Sequence, residues 1–272
     1  MRRNTLALVF AAALAAGLST PPAARAVEMA VDLELILAVD VSRSMDFDEQ
    51  QLQRDGYIAA ITDPEIIAAI GRGANGRIAS SYIEWAGPKL QSVVVGWRVV
   101  DGAASAKAFA DALAAAPMQT FRGTSISGGL AFARSLFDGN GYAAPRHAID
   151  VSGDGPNNMG APIEAARNQV VGAGITINGL PIMIKQGGFA SIDNLDVYYE
   201  DCVIGGPGAF VVVVRSAGQF DEAIRRKLVL EIAGEAPRLI PAAGESTEAG
   251  PTNPKRIDCL IGEKLRRQWM PQ

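Results

Sequence analysis

Asp40, Ser42 and Ser44 stand at alternate positions just after an apolar run, residues 33–39, and offer three hard oxygen donors on one short loop. Such donors suit Mg²⁺, Mn²⁺ or Ca²⁺ better than zinc or copper. Two further polar corners share that character, Gly123-Thr124 and Gly153-Asp154-Gly155. Each also has a plainer use: a turn and helix cap around Asp40, an N-cap at Thr124, a turn at Asp154. Five oxygens from three separated segments are far more specific than any one triplet, provided the fold brings the corners together.

The run that ends at Asp40 is apolar almost throughout, as in a parallel strand buried on both faces. The carboxyl end of such a strand is where an open α/β sheet places its ligands. Residues 47–61 then read as a helix with Leu52, Tyr57, Ile58 and Ile61 inward. Asp63-Pro64 starts a second, short helix ending near Gly71. Residues 71–76 match the dinucleotide pattern G-x-G-x-x-G, but they follow a helix and precede a strand. That is the reverse of a phosphate-binding turn, so this is a connecting loop.

Residues 77–85 and 91–100 are strands joined by a linker too short for a helical crossover, so the second is antiparallel and sits at a sheet edge. Ser105 caps a helix through Ala115, and the next helix turns Ile126, Leu130, Ala133 and Phe137 inward. Residues 147–152 form a second core strand leading into Asp154. A helix over 162–171, a strand over 175–180 and a long connection over 181–208 follow, with helical turns around 194–200. Residues 209–214 are the last strand. Ser216 caps a final helix with Phe220, Ile224 and Leu228 inward and Gly234 as its stop.

The 272 residues suffice for one large α/β domain with appendages, and 49% hydrophobic content can fill its core. Residues 1–26 have a basic start, an apolar centre and an Ala24-Arg25-Ala26 cleavage pattern. They read as a secretory signal cut near Ala26, too short to serve as a transmembrane segment. Their loss removes three arginines and no acid, taking the net charge from −4 to −7. An acidic product without clustered cations is a poor nucleic-acid binder. Export meets oxidising conditions, and Cys202 and Cys259 are the two cysteines. A disulfide between them is the expectation, worth about 4 kcal/mol in the chain-entropy account; two unpaired buried thiols are the alternative. Residues 235–253 read as a Pro- and Gly-rich linker. The basic tail after them is either a short helix docked through Cys259 or a surface that touches membrane or partner weakly.

Taken together, the motif at Asp40, residues 121–127 and residues 149–155 resemble the von Willebrand factor A-type domain and its metal-ion-dependent adhesion site. More closely, the chain resembles an uncharacterised bacterial family of exported A-domain-like proteins. The resemblance spans residues 32–234. It implies a doubly wound, mostly parallel six-stranded α/β sheet in the order 3-2-1-4-5-6, strand 3 antiparallel, with helices on both faces. It also implies that Asp40, Ser42, Ser44, Thr124 and Asp154 hold Mg²⁺, some through water, with Mn²⁺ or Ca²⁺ as substitutes. A partner protein's Asp or Glu would complete the shell, and no catalysis follows. Where that family often has aliphatic residues before its second loop, this chain has Phe121-Arg122.

Two alternatives remain open to these residues. The order Asp40, Thr124, Gly153-Asp154-Gly155-Pro156-Asn157-Asn158 imitates a haloacid-dehalogenase-like Mg²⁺-dependent phosphohydrolase. The acid such an enzyme needs two residues after its nucleophile is here Ser42, which cannot protonate a leaving group. No Lys lies between Thr124 and Asp154 to balance a phosphate. The other alternative is a structural A-like domain without a functional metal. The lone His147, at the start of a core strand, reads as structural, and two distant cysteines make no zinc site.

Overall fold

The computed structural model describes residues 28–185, 191–234 and 256–269. The expected signal segment, residues 1–26, and the linker, residues 235–253, lie outside the described residues. Chain order begins with a short strand β1 (Met29–Ala30), then β2 (Glu34–Asp40), α1 (Phe47–Ile61) and α2 (Pro64–Gly71). The hairpin β3 (Ile78–Trp85) and β4 (Gln91–Val100) follows, then α3 (Ala103–Ala114) and α4 (Ile126–Ser135). A second short strand β5 (Tyr142–Ala143) precedes β6 (His147–Gly153), α5 (Ile163–Gly172) and β7 (Ile175–Pro181). Last come α6 (Leu195–Tyr198), a π turn (Tyr199–Val203), α7 (Phe220–Ala233) and α8 (Ile261–Trp269).

The main sheet has five strands in the order β4-β3-β2-β6-β7, all parallel except β4. Alternation along β2 explains the two layers, because successive side chains of a strand leave opposite faces. Leu35, Leu37 and Val39 pack toward Tyr57, Phe109, Phe220, Ile224 and Leu228 on one side. Ile36 and Ala38 meet Trp85, Ile126, Leu130, Tyr198 and Tyr199 on the other. The chain leaves β2 for α1 on the first face and reaches β6 from α4 on the second. The crevice between β2 and β6 is thus the switch point, where α/β sheets open at their carboxyl edge.

The expected sixth strand is absent as a strand. Residues 209–214 make only two isolated parallel bridges, Gly179 with Val211 and Ile182 with Val214. Gly179 N donates to the Phe210 carbonyl and Val212 N to that of Gly179, both at 3.0 Å. Further along, Val214 N donates to the Pro181 carbonyl at 3.0 Å and Met183 N to that of Val214 at 2.7 Å. Continuing the ladder between these pairs requires an N–H at residue 181, and Pro181 has none. The sheet therefore keeps the order 3-2-1-4-5 and loses its sixth member. The pairing of β1 with β5, two residues each, is an addition that the sequence did not announce.

Three smaller corrections concern helices. Ser105 lies inside α3, not before it, and its Oγ reaches back to accept the Gly102 N–H at 3.1 Å. Ser216 precedes a 3-10 turn (Ala217–Gln219), and α7 starts only at Phe220. Leu52 is 37% exposed, because the buried face of α1 is polar for half its length: Glu49, Gln50, Gln53 and Arg54 precede Tyr57. The tail follows the docked alternative. Cys202 and Cys259 are bonded, with Cα atoms 5.5 Å apart, seating α8 beside the π turn.

Candidate metal centre

At the carboxyl edge of β2, Asp40 turns its Oδ1 back to accept the Ser42 N–H at 2.7 Å. That local bond curls the loop, as Asx turns do, and brings the Ser42 and Ser44 hydroxyls 2.8 Å apart. Ser44 Oγ donates to Asp154 Oδ1 at 2.7 Å, and Thr124 Oγ1 donates to Ser42 Oγ at 3.4 Å. All five oxygen-bearing residues singled out in the sequence thus lie in one hydrogen-bonded cluster. Asp40, Ser42 and Thr124 are buried, while Ser44 and Asp154 are partly exposed at its mouth.

The backbone holds the corners against one another. Phe121 bridges to Ser42 in parallel register, and Arg43 N donates to the Phe121 carbonyl at 2.8 Å. Thr124 N donates to Asn158 Oδ1 at 3.1 Å, and its carbonyl accepts from the Asn158 N–H at 2.9 Å. Gly123 turns the loop at φ +85, where a Cβ would also stand 2.2 Å from Met159 Sδ. Only glycine meets both demands. Gly153 is confined differently: a Cβ there would lie 2.9 Å from Asp40 Oδ2 and 3.1 Å from the Tyr199 hydroxyl.

The cluster carries more negative charge than its surroundings solvate. Asp40 Oδ2 is buried without a hydrogen-bond partner. Burial first, and then the charge of Asp154, push Asp40 well above the usual carboxylate range. Asp154 is pushed up to about 6, by burial foremost, with Glu49 adding and the Ser44 hydrogen bond and Lys185 opposing. Two acids, one of them with a bare buried oxygen, and three hydroxyls fit a hard divalent cation, which takes all-oxygen shells. Among the described residues no group of three or more His, Cys, Asp or Glu could hold a metal. A centre here therefore depends on its hydroxyls as well as its acids.

Several supporting residues were not anticipated. Below the loop, Gln53 Nε2 donates to Ser152 Oγ at 2.6 Å, Gln50 to the Met45 carbonyl at 3.2 Å, and Arg54 pairs with Glu84. Their signal was present in the helical spacing of 49–50, 53–54 and 57, but polar residues on a helix are ordinarily read as its solvated face. Lys185, from the long connection, bridges Asp46 at 2.8 Å and Glu49 at 2.7 Å. The tail reaches the same loops. Glu263 accepts from Asn157 Nδ2 at 2.7 Å, Asn157 Oδ1 accepts the Ser127 N–H at 3.0 Å, and a Cβ on Gly262 would meet the Asn157 carbonyl at 2.1 Å. Nothing local in the sequence links residue 263 to residue 157. His147, at the opposite end of β6, lies 3.4 Å from Glu34 and takes no part in the cluster.

Comparisons with known proteins agree with this architecture. A family model described as "Protein of unknown function (DUF1194)" matches residues 30–236. Among solved structures, proximal thread matrix protein 1 from the mussel byssus matches at 16% identity, over 76% of this chain and 48% of that one, with a TM-score of 0.56. A structure of the same mussel protein described as having a zinc-occupied MIDAS motif matches at 18% identity, over 76% and 49%, with a TM-score of 0.53. A von Willebrand factor type A protein from Catenulispora acidiphila matches at 17% identity, over 75% and 43%, with a TM-score of 0.53. These likenesses show the fold, which is of the von Willebrand factor A type. The chain spans about half the length of the mussel structures it matches. No curated protein matches it.

Proposed function

This chain belongs to the family described as proteins of unknown function DUF1194, and we propose that it is an exported, metal-dependent protein-binding module. In this reading Asp40, Ser42, Ser44, Thr124 and Asp154 hold a divalent cation, Mg²⁺ by preference, with Mn²⁺ or Ca²⁺ able to replace it. Residues 32–234 are the binding module and residues 235–272 its linker and tail. The observation that carries the proposal is the hydrogen-bonded cluster that gathers Ser42, Ser44, Thr124 and Asp154 beside Asp40, whose buried Oδ2 has no partner of its own. The zinc-occupied MIDAS motif of the mussel relative lends it support.

The two carboxylates match the charge of a divalent ion, and the three hydroxyls add donors without adding charge. When bound, the ion supplies Lewis acidity toward one more anionic oxygen, which an Asp or Glu of a partner protein would offer. Ser44 and Asp154, at the mouth, leave that approach open. Asp40, buried below, orients the loop through the Ser42 N–H. Export rests on residues 1–26, and the Cys202–Cys259 bond suits an oxidising compartment. Among the described residues no helix is long and apolar enough to cross a membrane.

The test is thermal unfolding of the full chain with Mg²⁺ and with chelator. The metal should raise the melting temperature, and Asp40→Ala should abolish the rise. An unchanged response in that variant refutes the site. Affinity capture from the native envelope should then yield a partner that chelator releases; capture indifferent to chelator points to a structural domain. Metal-dependent hydrolysis of an aryl phosphate would replace this reading with the phosphohydrolase.

A further inference from the structure

We infer that the partner segment is acidic beyond the single carboxylate offered to the metal, because unpaired cations surround the cluster. This inference rests on the proposed metal centre and concerns the surface around it. Three loops form that rim. Residues 41–46 follow β2, residues 86–90 turn the β3–β4 hairpin, and residues 121–124 lead to α4. They touch one another: Arg43 N donates to the Phe121 carbonyl at 2.8 Å, and Ser125 N to the Ala86 carbonyl at 2.7 Å. A Cβ on Gly87 would stand 2.9 Å from the Arg122 carbonyl.

Each loop carries one exposed cation, namely Arg43, Lys89 and Arg122. None of the three makes a side-chain hydrogen bond or ion pair among the described residues. Six other cations, Lys107, Lys185, Arg215, Arg225, Arg256 and Lys264, have carboxylate partners. Arg72, Arg98, Arg134, Arg226 and Arg267 are exposed without one among the described residues, as the rim cations are, so what marks the rim is that its three stand on loops in mutual contact beside the cluster. Of the acids nearest the rim, Asp46 and Glu49 share the single cation Lys185. Asp48, in the first turn of α1, is the acid of this edge left without a cation. With a dication matched by Asp40 and Asp154, the four cations Arg43, Lys89, Arg122 and Lys185 against the three acids Asp46, Asp48 and Glu49 leave this edge one positive charge, a local reversal of sign in a chain of net charge −4. Such reversals steer and select partners of opposite charge.

The occupant this chemistry fits is a peptide segment in which the metal-seeking Asp or Glu has further acids within a few residues. Arginine is well suited to that task, since its planar fork meets carboxylates two bonds at a time. Exposed Phe47 and Leu90, 61% and 40% accessible, add apolar contact at the same edge. An anionic lipid surface fits less well. Three cations at about 1 kcal/mol each bind a membrane only weakly, and a carboxylate ligand for the recessed cluster would be missing.

The experiment compares two labelled peptides of equal length by fluorescence anisotropy, using the full chain in saturating Mg²⁺. One carries a single Asp among Gly and Ser, and the other carries that Asp flanked by further Asp and Glu. The acidic peptide should bind about tenfold more tightly at low salt, the worth of three exposed charge pairs, and salt should erode the difference. The triple variant Arg43→Gln, Lys89→Gln, Arg122→Gln should level the two affinities while keeping the Mg²⁺-induced rise in melting temperature. Equal binding of both peptides by the unaltered protein overturns the inference, as does a preference that survives in the triple variant. Tight binding to anionic phospholipid vesicles without any peptide preference overturns it too. Loss of the Mg²⁺ response in the unaltered protein refutes the metal centre instead. The rim then stands if the acidic preference persists and depends on the three cations, and falls with the metal centre if it does not.

Discussion

Saturating magnesium should raise the melting temperature of this protein by an amount that grows with pH. The reason lies in Asp154, whose carboxyl is pushed up to about 6 from an ordinary value of 3.8, chiefly by burial. A group raised in the folded state contributes stability that is fully present below its unfolded pKa and is lost as pH climbs through the folded one. The metal-free protein should therefore weaken between about pH 4 and pH 7. At 1.36 kcal/mol per unit, a rise from 3.8 to about 6 costs on the order of 3 kcal/mol once both states are ionised. Asp40, raised by burial and by Asp154, acts in the same direction. A bound dication favours the ionised carboxylates and so offsets this loss. For a domain of this size each kcal/mol moves the melting point by about 2–4 °C. The metal-induced rise should thus be about 6–12 °C larger near pH 7.5 than near pH 4. The assay is calorimetric or fluorimetric melting in magnesium and in chelator across that range. Taking the difference at each pH cancels groups that titrate elsewhere, such as Asp150. Asp154→Asn should flatten the difference. A metal-induced rise as large at pH 4 as at pH 7.5 would refute the argument.

Other parts of the molecule make their own predictions. Lys227, fully buried, lies 2.6 Å from Asp150 and 2.8 Å from Glu231, and burial together with Glu231 pushes Asp150 up to about 7. Lys227→Met should cost about 3–5 kcal/mol by denaturant unfolding, with much of the loss recovered when Asp150→Asn and Glu231→Gln are added; no loss would show the trio to be dispensable. Gly153→Ala should leave the fold in place by circular dichroism but abolish the magnesium response, since its methyl would press on Asp40 Oδ2. Replacing Cys202 and Cys259 with Ser should lower stability by about 2–5 kcal/mol. It should also weaken apparent magnesium affinity, because the bond seats the tail that holds Asn157 through Glu263; unchanged affinity would uncouple tail from site.

How much was legible varies with the range of the interactions involved. The apolar run before Asp40, the hairpin with its antiparallel edge, and the loop status of residues 71–76 follow from patterns a few residues long, and the structure keeps all of them. The last strand failed for a reason written in a different strand, since only pairing reveals that Pro181 must donate a bond it lacks. The inward face of α1 is not legible locally, because a helix's period identifies a stripe without saying what lies opposite. Gln53 and Arg54 are buried here because Ser152 and Glu84 wait beneath them.

By itself, the sequence determined the donor chemistry of the candidate site: two acids and three hydroxyls, each at the end of a local pattern that favours a turn. Those patterns are short-range, set by alternation, capping and the reach of one side chain to the next amide. Only the tertiary structure decided that the corners at residues 40, 124 and 154 share a hydrogen-bonded cluster and that Asp40 Oδ2 is left bare within it. It also decided that a tail over one hundred residues away leans on the loop after Asp154. Strand adjacency and burial are properties of the packed sheet, and no local stretch of chain encodes them.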